Sequence, residues 1–161
     1  MSSYSLAFCQ RYVLMLRSFN SNDTFRYSPD KNEWRLYTCP TAPPPRSAHA
    51  VVPLAKEGGQ LWLFGGEYSS SNQSNFLHYR DLWCFSVKDH SWQKIDVSKG
   101  PSARSGHRMA VWKGYIVLFG GFQDTGVKSK QAVNAESYWL CIELTALFRS
   151  NLSFRPLAIR H

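Results

Sequence analysis

The sequence lacks any run of about 18 apolar residues, the length a helix needs to cross a bilayer, so no membrane span is expected. It also lacks a C-x-x-C pair. Cys9, Cys39, Cys84 and Cys141 are scattered and keep no metal-ligand spacing with histidine, which reads as reduced thiols in a cytoplasmic, or else nuclear, protein. Charged residues are scarce at 19%, and they are lopsided: 19 Lys and Arg against 11 Asp and Glu give a formal +8. Yet no four basic residues run together and no RNA- or DNA-reading motif accompanies them, so no nucleic-acid partner is expected. Residues 1–19 contain no acidic residue, but Gln10 and Arg11 interrupt their apolar run and no basic residue leads it, which argues against a secretory signal. Equally absent are Gly-x-Ser-x-Gly, a P-loop, a dinucleotide-binding glycine fingerprint and paired carboxylates placed for acid–base work. No catalytic residue, metal or cofactor is therefore expected.

Aromatic residues are abundant, at 15% with six Trp, and they supply broad flat packing surfaces. The sequence also repeats itself. At a shift of 58 positions, Asp23 meets Asp81, Ser28 meets Ser86 and Trp34 meets Trp92; Pro43, Arg46, Ser47 and His49 meet Pro101, Arg104, Ser105 and His107. The shift then becomes 55, and Leu-Trp-Leu-Phe-Gly-Gly (61–66) meets Ile-Val-Leu-Phe-Gly-Gly (116–121). The difference falls in the turn around Gly58 and Gly59, which is longer than its counterpart at Lys113 and Gly114, where strands are undisturbed.

Within this unit the segments read as strands. Residues 49–54 and 107–112 are short and mostly apolar, while 61–64 and 116–119 are apolar on both faces, the pattern of a strand covered from both sides. Residues 81–87 alternate, with Trp83, Phe85 and Val87 on one face, and 92–97 alternate after them. Turn chemistry at 28–32 and 87–91 separates them. Four short antiparallel strands per unit of roughly 50 to 60 residues describe a propeller blade.

Leu-Phe-Gly-Gly closing a second strand, an aromatic in the third (Tyr27, Phe85) and a Trp seven residues later (Trp34, Trp92) resemble the kelch repeat, as do the segments leading to His49 and His107. Asn-Asp-x-Phe-Arg-Tyr (22–27), Pro-Pro-Pro-Arg-Ser-Ala-His (43–49), His-Tyr-Arg-Asp-Leu-Trp (78–83) and Arg-Ser-Gly-His-Arg-Met (104–109) are most similar to the kelch domain-containing protein 4 group of that family. The resemblance implies an all-β fold, an incomplete kelch β-propeller of about two to two and a half four-stranded antiparallel blades. Its expected parts are an atypical N-terminal segment (1–21), the C-terminal half of a blade (22–42), a complete blade (43–97), the first half of a further blade (98–122) and a divergent segment (123–161). Residues 13–18 read as a second strand without its Gly-Gly. The stretch 138–144 reads as a third strand, and equally as part of a helix over 134–148. The structural motif residues are Tyr27, Trp34, His49, Gly65, Gly66, Trp83, Phe85, Trp92, His107, Gly120 and Gly121.

The resemblance further implies non-catalytic protein–protein interaction, with an unidentified protein partner. Propellers of this kind that are copper oxidases need a Tyr/His/Cys set gathered from distant blades, which this sequence does not supply. A truncated product of a larger propeller is the expected origin, its open edges covered by missing blades or by self-association. The alternatives are a purely structural fragment and a basic surface for RNA or acidic lipid. His49 and His107 repeat, but no third metal ligand shares their register. Arg46 and Arg104 repeat too, and arginine reads carboxylates or bonds loop carbonyls. Blade topology places the long loop 67–80, the Pro-rich link 39–45 and the link 98–103 on one face. Arg46, Tyr68, Phe76, His78, Tyr79, Arg80 and Arg104 are its candidate partner-binding residues.

Overall fold

The computed structural model describes residues 4–9, 12–17, 23–70, 76–97, 100–113, 115–123, 140–143 and 154–156. Among these residues the regular structure is all strand, apart from one 3-10 turn over Pro29–Lys31. No helix among them is long and apolar enough to cross a membrane. Three four-stranded antiparallel sheets follow one another. Sheet I is β1 (Tyr4–Cys9), β2 (Tyr12–Arg17), β3 (Thr24–Ser28) and β4 (Glu33–Tyr37), in that order. Sheet II is built from β5 (Ala50–Leu54), β6 (Gln60–Phe64), β9 (Leu82–Ser86) and β10 (Ser91–Ile95). Sheet III is β11 (Arg108–Trp112), β12 (Tyr115–Phe119), β13 (Leu140–Glu143) and β14 (Phe154–Pro156). A separate two-stranded hairpin, β7 (Glu67–Ser69) and β8 (Phe76–His78), is inserted between β6 and β9.

The incomplete propeller is as expected, but among the described residues its four-stranded sheets number three. The segment expected to be atypical supplies β1 and β2, because an apolar strand pairs through its backbone whether or not Gly-Gly follows it; Leu14 lies opposite Arg26 and Val13 opposite Tyr27. The divergent segment supplies β13 and β14. Leu140–Glu143 is a strand, with Leu140 opposite Leu118 and Ile142 opposite Ile116, which settles these four residues against the helical alternative. The expected long loop 67–80 is largely the β7–β8 hairpin.

Local chemistry explains the strand ends. Pro29 opens the 3-10 turn between β3 and β4, and Asn32 closes it in the left-handed region at φ 51°, its N–H returning to the Pro29 carbonyl. His90 takes the same conformation at the repeat-equivalent turn, also at φ 51°. Both turns need one residue at positive φ, which Asn tolerates and His tolerates less well.

The core lies between sheets. Along β6, side chains point alternately to the two neighbours. Leu61 and Leu63 join Ala7 and Leu14 of sheet I, together with Trp83, Phe85, Val87 and Trp92. Trp62 and Phe64 join Ile116 and Leu118 of sheet III, with Val52 and Leu82. The two-sided apolar pattern of 61–64 is thus the contact of one sheet with two others. Trp92 shows how specific the contact is: its indole N–H donates to Thr24 Oγ1 in sheet I at 2.9 Å, and its ring packs on Phe85 with centroids 5.1 Å apart. The repeat-equivalent Trp34 is 53% exposed against 5% for Trp92, because no described sheet lies on its side.

Truncating Trp92 to alanine is expected to cost about 3–5 kcal/mol of stability, the range for emptying a large buried aromatic site. Gln93→Ala, one residue along on the exposed face, should stay within about 0.5 kcal/mol. Urea unfolding followed by circular dichroism compares them; equal midpoints would refute the sheet I–sheet II core described above.

Candidate functional site

One end of the sheets carries the connections that lead into β5, from β6 to β9, and into β11. Its organising residue is Arg46, just before β5. The guanidinium is buried and fully engaged: Nη1 and Nη2 donate to the two carboxylate oxygens of Asp81 at 2.6 and 2.9 Å, Nη1 also donates to the Gly65 carbonyl at 3.0 Å, and Nε to Pro44 at 3.1 Å. Its flat face lies over the Tyr79 ring, 4.0 Å from the centroid. Asp81 accepts a further bond from the Trp83 indole at 2.7 Å. Burial alone would raise the Asp81 pKa, but the hydrogen bonds and charge of Arg46, aided by Trp83, outweigh it and hold the carboxyl below its ordinary 3.8. Such a fork-to-fork pair fixes direction as well as distance, so it anchors the start of β5 to the start of β9.

Arg104 repeats the arrangement before β11. It is buried, with Nη1 donating to the Gly120 carbonyl at 2.9 Å, Nη2 to Ser102 Oγ at 2.8 Å and Nε to the Ser102 carbonyl at 3.3 Å. Its own backbone ties sheet II to sheet III, since Gly66 N–H donates to the Arg104 carbonyl at 2.9 Å and Arg104 N–H to the Tyr79 carbonyl at 3.1 Å.

The Gly65–Gly66 pair permits this closeness. Both sit at positive φ, 64° and 100°. A Cβ on Gly65 would come within 2.6 Å of the Arg104 carbonyl oxygen and 2.9 Å of His107 Cε1, and one on Gly66 within 2.7 Å of the Ser47 carbonyl oxygen. Sterics and conformation therefore exclude a side chain at either place.

His49 and His107 are buried beside these glycines, and among the described residues none of their four ring nitrogens has a hydrogen-bond partner. Burial first, then the Arg46 charge and His107, lower the His49 pKa to about 4; burial, then Arg104, do the same to His107. The backbone of Arg46 and of Phe64 favours the charged rings, without aligning to bond them. Both rings are neutral wedges: the edge of His107 meets Phe64 at 5.5 Å between centroids. No group of three or more metal-ligating side chains occurs among the described residues. Burial, then the Glu57 charge, push the Cys84 thiol up to about 12, which disfavours its thiolate form.

The β7–β8 hairpin stands on this frame. Ser47 and Glu67 exchange backbone bonds at 2.8 Å, Tyr79 N–H donates to the Gly66 carbonyl at 2.8 Å, and the His78 ring lies 3.1 Å from Ser105 Oγ in the lead-in to β11. Tyr68 pairs across the hairpin with Leu77. Leu77 and Arg80 are exposed and Tyr68 is half-buried. Phe122, also exposed, exchanges backbone bonds with the same Ser105, at 2.8 and 3.0 Å. The seven sequence-derived candidates thus divide. Arg46 and Arg104 hold the frame, Tyr79 lies beneath Arg46 with its hydroxyl 3.4 Å from the Pro45 carbonyl, and His78 joins hairpin to sheet III. Tyr68 and Arg80 reach the surface. Phe76 has its backbone in β8, and its side chain lies outside the described residues. Sequence reasoning missed Leu77 and Phe122, single apolar residues next to a polar loop and a repeat end. It missed the role of Asp81 too, although Asp23 and Asp81 fall in repeat register.

Over residues 15–145 the sequence matches the KLHDC2/KLHL20/DRC7 Kelch-repeats domain. It is 30% identical over 122 residues to the Ras guanine nucleotide exchange factor F of Dictyostelium discoideum, which covers 73% of this chain and 10% of that protein. With dynein regulatory complex subunit 7 of Chlamydomonas reinhardtii it shares 32% over 105 residues, 63% of this chain and 8% of that one. With human kelch domain-containing protein 3 it shares 34% over 83 residues, 51% and 20% respectively. The matched stretch is thus a fifth or less of each of these relatives.

Arg46→Ala leaves the half-buried Asp81 without its cation and should destabilise the fold by about 3 kcal/mol, read from urea midpoints at pH 7. The histidines set a pH window. Their folded pKa lies below the ordinary 6.5, so the unfolded chain binds protons first and stability is complete above about pH 6.5. It should fall as pH drops toward 4, by up to about 3 kcal/mol per histidine, while the Asp81 contribution is lost only below about 3.8. Unfolding midpoints unchanged between pH 7 and 4.5 would count against neutral, buried rings.

Proposed function

The chain belongs to the kelch-repeat family, and from that premise we propose that it is a non-catalytic protein-recognition module whose docking surface is the hairpin end of sheets II and III. The observation that carries this reading is the β7–β8 hairpin itself. Its Glu67 exchanges backbone bonds with Ser47 in the lead-in to β5 and its His78 meets Ser105, yet Leu77 and the following Arg80 are left to solvent, with Tyr68 paired to Leu77 and the exposed Phe122 bonded through its backbone to the same Ser105. A partner that docks here meets apolar and aromatic surface with one cation on a support that need not reorganise, and preorganisation of that sort is what limits the entropic cost of association. The opposite end offers the tight turn Val87–His90 and the β11–β12 turn at Lys113, where the exposed Trp112 lies under the Lys113 ammonium.

In this reading Arg46, Arg104, His78 and Tyr79 act by positioning, and Tyr68, Leu77, Arg80 and Phe122 by contact. The placement within the kelch domain-containing protein 4 group, a scaffold or adaptor role, a cytoplasmic location and origin as part of a larger propeller belong to the same proposal. They rest on the four quoted segments, the scattered thiols and the open outer sheets.

Partner capture should depend on the hairpin surface. With the chain immobilised and bound proteins quantified from cell extract, Leu77→Asp and Arg80→Glu are expected to lower capture of a specific binder at least tenfold, about 1.4 kcal/mol, with unchanged melting. Lys88→Glu, at the opposite end, should leave it intact. Loss with Lys88→Glu and not with Leu77→Asp would place the surface elsewhere.

A further inference from the structure

His49 and His107 stand on either side of one seam, where sheet II meets sheet III. His49, in the lead-in to β5, has its Cβ 2.9 Å from where a Cβ on Gly66 would be. His107, in the lead-in to β11, brings Cε1 within 2.9 Å of the same position on Gly65. Three backbone bonds cross this seam. Gly66 N–H donates to the Arg104 carbonyl at 2.9 Å, Arg104 N–H to the Tyr79 carbonyl at 3.1 Å and Gly106 N–H to the Ala48 carbonyl at 2.8 Å. The rings lie inside what these bonds hold shut, His49 at 9% and His107 at 1% exposure.

Among the described residues no group in the seam compensates a charge on either ring. Their ring nitrogens make no hydrogen bond. The charged groups that act on His49 are Arg46 and His107, and those that act on His107 are Arg104 and Arg108. Each of these is a cation, or in the case of His107 becomes one with the same proton. From β6, His107 meets the uncharged Phe64 ring edge-on. The carboxylate of Asp81 is committed to Arg46 and Trp83, and that of Glu67 lies beside His78 at 3.7 Å. The guanidinium groups oppose a metal cation at the histidine pair for the same reason that they oppose a proton. A charge buried without a partner is costly, so a proton is accommodated only when the seam parts and water reaches the ring.

We propose that His49 and His107 together form an acid latch on the seam between sheets II and III. When the rings take up protons, the bonds at Gly66, Arg104 and Gly106 open as a unit while the core between sheets I and II stays folded. That core has no histidine among its members, and its specific bond, from the Trp92 indole to Thr24 Oγ1, does not titrate. The response is steep, because an opening made for one ring admits water to the other. Its direction follows from the two states of the rings. In the closed seam they are protonated only near pH 4, and in the open seam at the ordinary 6.5. Closure is therefore complete above about pH 6.5 and weakens as pH falls toward 4. At pH 5 each ring favours the open seam by about 30-fold relative to neutral pH, and the two together by about 1,000-fold. A local opening costs less than global unfolding, so the seam gives way first.

Amide hydrogen exchange on the 161-residue chain, resolved by residue with NMR at pH 7, 6 and 5 and corrected for the intrinsic pH dependence of exchange, tests the latch. The amides of Gly66, Arg104 and Gly106 are expected to lose protection at least about 100-fold between pH 7 and 5, while those of β9 and β10 lose less than about threefold. His49→Phe and His107→Phe each keep a flat ring without a titratable nitrogen. Either alone should reduce the loss to about 30-fold, and the two together should make protection of the seam independent of pH. If the double variant does not fold, the wild-type comparison of the seam with β9 and β10 still decides. Seam amides as protected at pH 5 as at pH 7 overturn the proposal. So does a loss shared equally by β9 and β10, which is global unfolding, or one that persists in a folded double variant.

Discussion

Sheet II has two apolar faces, and the burial of both against neighbouring sheets is the constraint on which the rest depends. The strand β6 expresses it most directly. Leu61 and Leu63 belong to one core and Trp62 and Phe64 to the other, so four consecutive residues are buried in two opposite directions. Removing some 25 cal/mol per Å2 of apolar surface from water on both sides is the largest favourable term available to so thin a sheet. Hydrogen bonds then choose which apolar arrangement is adopted. The Trp92 indole finds the Thr24 hydroxyl, and a sheet displaced along its neighbour would leave both groups buried and unbonded.

On that stack the loop-bearing end is ordered by polar groups that are themselves inside. Arg46 collects the carbonyls of Pro44 and Gly65 and the carboxylate of Asp81, which brings the ends of three connections to one point. The glycine pair gives the backbone room to approach, and the neutral histidines fill the remaining space. The base of the hairpin is tied to what lies beneath it through Glu67, Tyr79 and His78, whereas the exposed Leu77 and Arg80 are the residues proposed for recognition.

Much of this was legible in the sequence because it is repeated. The register Trp34/Trp92, His49/His107 and Gly65-Gly66/Gly120-Gly121 located strands, turns and the alternation of faces to within a residue or two. What repetition marks is the backbone arrangement common to blades, and for that reason it was silent elsewhere. Sheet I was read as half a blade because β2 ends in Arg17 without the glycines, although its backbone pairing needs none. The hairpin went unread because two three-residue strands carry too little periodicity to stand out from a loop. Leu77 and Phe122 went unread since isolated apolar residues acquire meaning only when the fold leaves them outside. Arg46 and Arg104 were recognised as functional or structural alternatives; only the position of Asp81 shows how completely Arg46 is engaged.

The contact between Gly65 and the Arg104–His107 segment has a consequence for how the molecule opens and closes as it fluctuates. Among the described residues the cores join sheet I to sheet II and sheet II to sheet III, so coupling runs along the series as in a one-dimensional chain of linked units. Among the described residues sheet II is held from both sides, and sheets I and III from one. Its amides, those of β6 and β9 above all, should be the last to exchange with solvent, while fluctuations begin at the ends and travel inward. The Gly65 junction is where an opening of sheet III first reaches the base of the hairpin, so the surface proposed to meet a partner and the cooperativity of the stack depend on the same few atoms.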